Sequence, residues 1–392
     1  MKLNIGIISH YWPPHIGGIE NVASIQAQGL MKMGHNIKIA TSTQSANEKS
    51  DCSEHLETLR YSSWNFLENF GIPYPIFIKE GINKITRVVN WADVVIIHNH
   101  TFLSSVIAAQ KCIKYDTPYV LIQHSPKLKL PFPQNLLNTI ADNTAGKYLF
   151  RHAKHVLAVS QHTKNYVLSL ENKTEVSVLH NGVDLQKFNV VKTLNQKKQL
   201  RKKFGLREGG VNVLYLRRMV YRNGPDLMLK IMQYLKSNKN VFFTLVGDGP
   251  YKNKLRNFSK KNQHNDVYIL DPVKIADVPA IYKTADILAM PTRTGEGFGL
   301  VALESLASGV PVIAFDNGGH DEYLKNSIAG TLLPVGDCMN FAKAIKRMSD
   351  DPQNLRSICS KARETANSFS VEKNINELEK HLMNIINNSW WK

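Results

Sequence analysis

Three glycines, two glutamates and the start of an apolar run stand together at Gly295-Glu296-Gly297-Phe298-Gly299-Leu300-Val301-Ala302-Leu303-Glu304. The segment follows the apolar run Ile287–Met290 and the loop Pro291-Thr-Arg-Thr294, and helical spacing continues through Leu303, Leu306 and Ala307. Glycines this dense allow a tight turn and a close approach of backbone to a bound group. The first amides of a helix have no partner within it, and its dipole favours negative charge. A strand, a glycine turn and a helix start therefore form an anion site. Glu296 lies in the turn beside whatever those amides hold, and Glu304 lies roughly two helical turns further on. A carboxylate only accepts hydrogen bonds, which suits the hydroxyls of a ribose or a hexose.

The elements that would position such a site recur along the whole chain. Short aliphatic runs appear at Leu3–Ile8, Ile37–Ala40, Asp93–Ile97, Tyr119–Ile122, His155–Val159 and Val176–Leu179. A second series follows at Val211–Leu216, Val241–Val246, Val267–Leu270, Ile287–Met290, Val310–Phe315 and Thr331–Leu333. Runs without strict alternation predict strands buried on both faces. Amphipathic stretches separate them, such as Val22, Ile25, Gly29, Leu30 and Met33, stopped by Gly34. Strand and helix in alternation predict parallel sheets, and two series predict two doubly wound α/β domains. The polar, basic stretch Asp184–Gly205 reads as a linker, or a linker with a surface helix. Domains are thus expected at 1–190 and 191–371. Residues 372–392 read as one amphipathic helix ending in Trp390-Trp391.

At 392 residues, 43% apolar and 21% charged, the chain has the composition of a globular protein with room for two cores. No signal peptide, no run of eighteen apolar residues and no CxxC pair is present, so a cytoplasmic protein with reduced thiols is expected. The net charge of +17 fits nucleic acid, an anionic membrane surface or phosphorylated small molecules, and equally a solvated surface. Nucleic acid is not expected, because no recognition motif accompanies the charge. Lys127–Phe132 and Lys147–Lys154 interleave cations with apolar residues, as a segment lying on a bilayer does, or as an ordinary helix face does. Gly247-Asp-Gly249-Pro250 lacks the third glycine of a dinucleotide fingerprint.

The pattern Glu-Gly-Phe-Gly-Leu-x-x-x-Glu at 296–304 resembles the retaining glycosyltransferases of family 4, which have the GT-B fold. The likeness extends over nearly the whole chain. It includes Gly17-Gly18-Ile19-Glu20 after Tyr11-Trp-Pro-Pro14, His98-Asn-His100, Gln123-His124-Ser125, Asn181-Gly182-Val183-Asp184, Val246-Gly-Asp-Gly-Pro250 and Gly318-Gly319 with Glu322. The resemblance implies two Rossmann-like domains facing each other across a cleft, the first on the acceptor side and the second binding the nucleotide sugar. It also implies a terminal helix returning to the first domain. The implied activity transfers a hexose or N-acetylhexosamine from a UDP-, GDP- or ADP-sugar to a glycan or lipid-linked acceptor, with retention, without a metal or other cofactor. Glu296 would contact the donor sugar and Glu304 the ribose. Backbone amides around Gly297, Phe298, Gly299 and Leu300 would hold the diphosphate. Gly17 and Gly18 would let their loop approach it, and His124 would lie beside the anomeric centre.

One segment departs from the pattern. The family opens its second domain with Gly-Arg-Leu-x-x-x-Lys-Gly, where this chain has Arg217-Arg218-Met219-Val220-Tyr221-Arg222-Asn223-Gly224. Arg218 matches the arginine, Arg217 replaces the glycine and Asn223 replaces the lysine. Cations on a departing diphosphate stabilise the transition state, and Asn223 supplies none. Arg222 is expected to compensate, since arginine suits bidentate phosphate contact, with Arg217 as the other candidate. The alternative is a weakly active or inactive relative that binds nucleotide sugars or glycans.

Overall fold

The computed structural model describes residues 1–15, 17–43, 52–66, 74–127, 134–261 and 266–389. Trp390-Trp391 and most of Lys127–Phe132 lie outside these residues. The chain forms two units, Met1–Gly182 with Val371–Lys392, and Val183–Ser370. The division falls ahead of the expected boundary at 190. Residues 183–188 belong to the second unit, where Val183 N donates to Phe369 O at 2.8 Å and Arg363 Nη1 donates to Phe188 O at 2.9 Å.

The first unit contains β1 (Asn4–Ile8), β2 (Asn36–Thr43), β3 (Cys52–Ser53), β4 (Leu56–Ser62), β5 (Val94–His98), β6 (Tyr119–Gln123), β7 (His155–Ala158) and β8 (Val176–Val178). They are ordered β3-β4-β2-β1-β5-β6-β7-β8, all parallel except the short antiparallel β3. All of β5 and β6 and most of β1 and β2 are buried, whereas the edge strand β8 is only half-buried because one of its sides has no neighbouring strand. β4 is absent from the aliphatic runs because polar residues interrupt it, yet Thr58 and Arg60 are buried with Leu59 and Tyr61.

The helix Val371–Ser389 buries Ile375, Leu378, Leu382 and Ile386 and packs on the helix Gly18–Lys32. A Cβ at Gly29 would come within 2.0 Å of Ile375 Cδ1, so the helices meet where one lacks a side chain. Gln26 Nε2 donates to Asn374 Oδ1 at 3.1 Å, and Asn374 Nδ2 donates to His180 O at 2.6 Å.

The second unit contains β9 (Val211–Leu216), β10 (Val241–Val246), β11 (Val267–Leu270), β12 (Ile287–Met290), β13 (Val312–Phe315) and β14 (Gly330–Leu333), ordered β11-β10-β9-β12-β13-β14 and wholly parallel. The basic stretch before it folds as the helix Leu194–Lys203, with Thr193 accepting from Gln196 N at its start. Arg201 of this helix is buried and donates to Asp286 Oδ2 at 2.5 Å and to Thr284 O at 2.9 Å. Lys197 also pairs with Asp286, and Lys203 pairs with Asp277 at 2.8 Å, so three of this cluster's cations are paired inside the unit. In the helix Lys147–His152, Leu149 and Phe150 are core residues and Arg151 pairs with Glu171. The apolar side chains of that segment therefore pack into the core. No helix of the described residues is long and apolar enough to cross a membrane.

Candidate active site

Strand order reverses direction between β9 and β12 in the second unit and between β1 and β5 in the first. Ligands of open parallel sheets bind beyond the carboxyl ends of strands at such switch points. The loops at both points carry the residues singled out by their chemistry.

In the second unit, β12 leads through residues 291–299 into the helix Leu300–Ala307. Gly299 stands at its N-cap with φ +82°, and a Cβ there would lie 2.9 Å from His320 Cβ and 3.0 Å from the Tyr323 hydroxyl. Glycine is thus required by both conformation and space. Tyr323 OH lies 3.0 Å from Phe298 O and 2.7 Å from Gly299 O, and Phe298 packs on the Tyr323 ring at 5.2 Å. A trans peptide points its N–H opposite its carbonyl. The amides of Gly299 and Leu300 are therefore aimed away from Tyr323. Among the described residues no carbonyl accepts from Gly299, Leu300 or Val301 N. Gly297 lies in the bend between Glu296 and this helix.

Glu296 is held from both sides. Its backbone bridges to Gly318, with Glu296 N donating to Asn317 O at 3.2 Å and Gly319 N donating to Glu296 O at 2.9 Å. Its carboxylate Oε2 accepts from Arg217 Nη2 at 2.6 Å, and Arg217 Nη1 donates to Thr292 Oγ1. Burial pushes the Glu296 carboxyl up, but the Arg217 guanidinium and its hydrogen bond, with His320 and Arg222 nearby, outweigh burial and hold it below the ordinary carboxylate range. His320 is buried and lies 2.8 Å from Phe315 O through Nε2, and burial shifts its imidazole below its ordinary range against the pull of Glu296.

The loop after β9 separates its three arginines. Arg217 is spent on Glu296 and Thr292. Arg218 and Arg222 are exposed and form no ion pair among the described residues. Asn223 is buried, and its Nδ2 donates to Arg218 O at 2.8 Å, while Tyr215 OH donates to Asn223 O at 3.3 Å. Asn223 therefore fastens the turn that carries the two exposed cations.

Glu304 accepts from Tyr282 OH at 2.8 Å. Burial pushes its carboxyl up to about 7, with the Tyr282 hydrogen bond and Lys187 pulling the other way. A carboxyl raised in the folded state binds more protons there than when unfolded between about pH 4.5 and 7. Stability therefore falls as pH rises through that window. Glu304→Gln keeps an acceptor for Tyr282 and removes the titration. The variant should gain on the parent by on the order of 2 kcal/mol between pH 5 and pH 8, allowing for partial exposure. Unfolding midpoints of both proteins at the two pH values measure this.

In the first unit, Gly17 caps the helix Gly18–Lys32 without a side-chain hydrogen bond. A Cβ on Gly17 would meet Glu20 Oε2 at 2.1 Å, whereas Gly18 is open on that side. Glu20 is buried and lies 2.8 Å from His15 Nδ1 and 3.4 Å from His10 Nε2. His124 follows β6, with its Nε2 2.9 Å from His98 Nδ1. Burial, then the neighbouring His10, lowers His124 to about 3 against the pull of Glu20, so its ring is neutral at physiological pH. Gly17, Gly18 and His124 thus border one buried cluster of His10, Glu20 and His98. His100 is structural: its ring nitrogens lie 2.9 Å from Gln123 Oε1 and 2.9 Å from Asp142 Oδ1. The roles of Tyr282, His320 and Tyr323 carry no signal in the sequence.

With this geometry in place, likeness to known proteins becomes informative. The family model Glycosyltransferase Family 4 matches residues 16–187, and Glycosyl transferases group 1 matches residues 196–365. Between them they take in both sheets, and the chain belongs to the group 1, family 4 glycosyltransferases. It is a glycosyltransferase of the two-domain GT-B fold. It is 25% identical over 348 residues to the alpha-monoglucosyldiacylglycerol synthase of Streptococcus pneumoniae, covering 84% of this chain and 74% of that one. Among solved structures it resembles the sucrose-phosphate synthase of Thermosynechococcus elongatus, with TM-score 0.83 and 19% identity over 98% of this chain and 99% of that one. It also resembles Anabaena HepE in complex with UDP-glucose, with TM-score 0.77 and 20% identity over 97% of this chain and 100% of that one.

Proposed function

We propose that the chain transfers a hexose or N-acetylhexosamine from a nucleoside-diphosphate sugar to a glycan or lipid-linked acceptor, with retention of anomeric configuration. The observation that carries this is the turn at 296–301. It presents unpaired amides at a helix start beside an ionised Glu296, and the loop after the adjacent strand carries two exposed arginines. The amides of Gly299, Leu300 and Val301 hold the diphosphate, with Arg218 and Arg222 on its oxygens in place of a metal ion. Glu296 accepts from a hydroxyl of the donor sugar and Glu304 from the ribose.

As the bond from the anomeric carbon to the phosphate oxygen breaks, charge builds on the diphosphate, and preorganised donors there lower the barrier. The acceptor hydroxyl bonds to the same face of that carbon and passes its proton to the departing phosphate oxygen. The products are glycoside and nucleoside diphosphate. Neutral His124 lines the acceptor-side unit and is no proton source at physiological pH. A lipid-linked acceptor is supported by the glycolipid synthase among the relatives, and with such an acceptor we read the enzyme as working in the cytoplasm at the inner membrane face. UDP as the nucleotide is supported by the HepE complex.

The test is a melting screen of the full chain with UDP-glucose, UDP-galactose, UDP-N-acetylglucosamine, GDP-mannose and ADP-glucose. Nucleotide release is then followed in the presence of membrane lipid extract. A ligand that binds only the folded chain raises the melting point. Stabilisation by one of them with lipid-dependent release supports transfer. Stabilisation without release favours the inactive, sugar-nucleotide-binding alternative.

A further inference from the structure

Arg217 stands where the family pattern has glycine, and its side chain lies against Glu296. It reaches from the end of β9 to the loop after β12 and grips that loop at two points. Nη2 donates to Glu296 Oε2 at 2.6 Å, and Nη1 donates to the buried Thr292 hydroxyl. The Arg217 side chain is 8% exposed and that of Glu296 is 21% exposed, so the carboxylate lies nearer the solvent and the guanidinium behind it. Among the described residues the second oxygen, Oε1, has no hydrogen-bond partner. A planar guanidinium fixed by two acceptors leaves its partner carboxylate little freedom to turn.

We propose, on the reading of Glu296 as the donor-sugar contact, that Arg217 is a positioning and specificity-determining residue. By holding Oε2 it presents Oε1 to a hydroxyl of an uncharged sugar ring. Charge supports the same substrate class. The diphosphate of a neutral sugar nucleotide carries two negative charges, and Arg218 and Arg222 are the cations left free for it. The Arg217–Glu296 pair closes on itself. A uronic acid would bring a further carboxylate against Glu296 with no free cation to meet it, and like charges at such distances repel. The charged and titratable groups around Glu296 are Arg217, Arg222, His320 and Tyr323.

The test uses the full chain with 13C-labelled glutamate, the Glu296 signal being assigned with Glu296→Gln. Arg217→Gly restores the family residue, and Arg217→Lys keeps the charge without the two-point grip. In the parent, Glu296 should titrate below the ordinary glutamate range. In Arg217→Gly burial is left unopposed by that cation and the midpoint should move above it, with Arg217→Lys between the two. In parallel, the sugar's share of affinity is read as the ratio of dissociation constants of UDP to UDP-glucose and of GDP to GDP-mannose. This ratio should fall about tenfold in Arg217→Gly while diphosphate affinity holds, the size of one lost charge-assisted hydrogen bond. UDP-glucuronate should bind the parent more weakly than UDP-glucose, and Arg217→Lys should keep that order. An unchanged titration and an unchanged ratio in Arg217→Gly overturn the proposal. If Glu296→Gln also leaves the ratio unchanged, the donor-sugar reading of Glu296 is what fails. The titration and the preference for UDP-glucose over UDP-glucuronate decide Arg217 separately, and their failure overturns it even where no ratio can be measured.

Discussion

Glu296→Gln should lower turnover about a hundredfold while leaving affinity for the free nucleoside diphosphate nearly unchanged, since a preorganised charge acting on the reacting centre carries a barrier term of that size. The substitution keeps shape and removes charge. The carboxylate has two tasks in the proposed reaction: accepting a sugar hydroxyl, and opposing the positive charge that develops on the ring as the leaving group departs. Both act on the sugar and neither on the diphosphate, so kcat should carry the loss. Glu296→Gln also leaves the buried Arg217 with a neutral partner, which destabilises the loop. A melting curve must therefore accompany the rates, taken at a temperature where the variant is fully folded. A loss smaller than about threefold would remove Glu296 from the chemistry, because it is well below what a lost transition-state contact costs.

Arg222→Ala should lower turnover by about tenfold or more, and Arg218→Ala by at least as much, because each removes a cation from the departing diphosphate. Both side chains are exposed and free of ion pairs among the described residues, so neither loss should move the melting temperature by much. That separates them from Arg217, which is committed to Glu296. Steady-state rates and calorimetric titration with UDP or GDP together decide the matter. Activity unchanged in Arg222→Ala would show that Arg222 does not take over the task of the lysine missing at Asn223.

Much of this is legible because the central parallel strands of both units are short aliphatic runs alternating with helical patterns, and that alternation tells them from buried helix segments. The strand Leu56–Ser62 was hidden because its ladder is built from Glu57, Thr58 and Arg60 as well as apolar residues. Arg201 looked like one more cation in a basic stretch, since nothing local marks Asp286 as its partner. The site divides in the same way. Gly299 and Glu296 are neighbours in sequence and announce themselves, whereas Tyr323 and Tyr282 reach the same helix from distant segments. Arg217 is visible in the sequence as a departure from the family pattern, and its chemistry there suits a phosphate ligand. Only three-dimensional placement shows that Glu296 takes its charge.

The central claim is that the amides of Gly299, Leu300 and Val301 receive the diphosphate. A crystal of the full chain grown with the nucleotide sugar that raises the melting point most would test it directly. Phosphate oxygens are expected at about 2.7–3.1 Å from those nitrogens, with Arg218 and Arg222 on the remaining oxygens and Glu296 Oε1 on a sugar hydroxyl. A diphosphate bound elsewhere, with these amides facing only water, would contradict it.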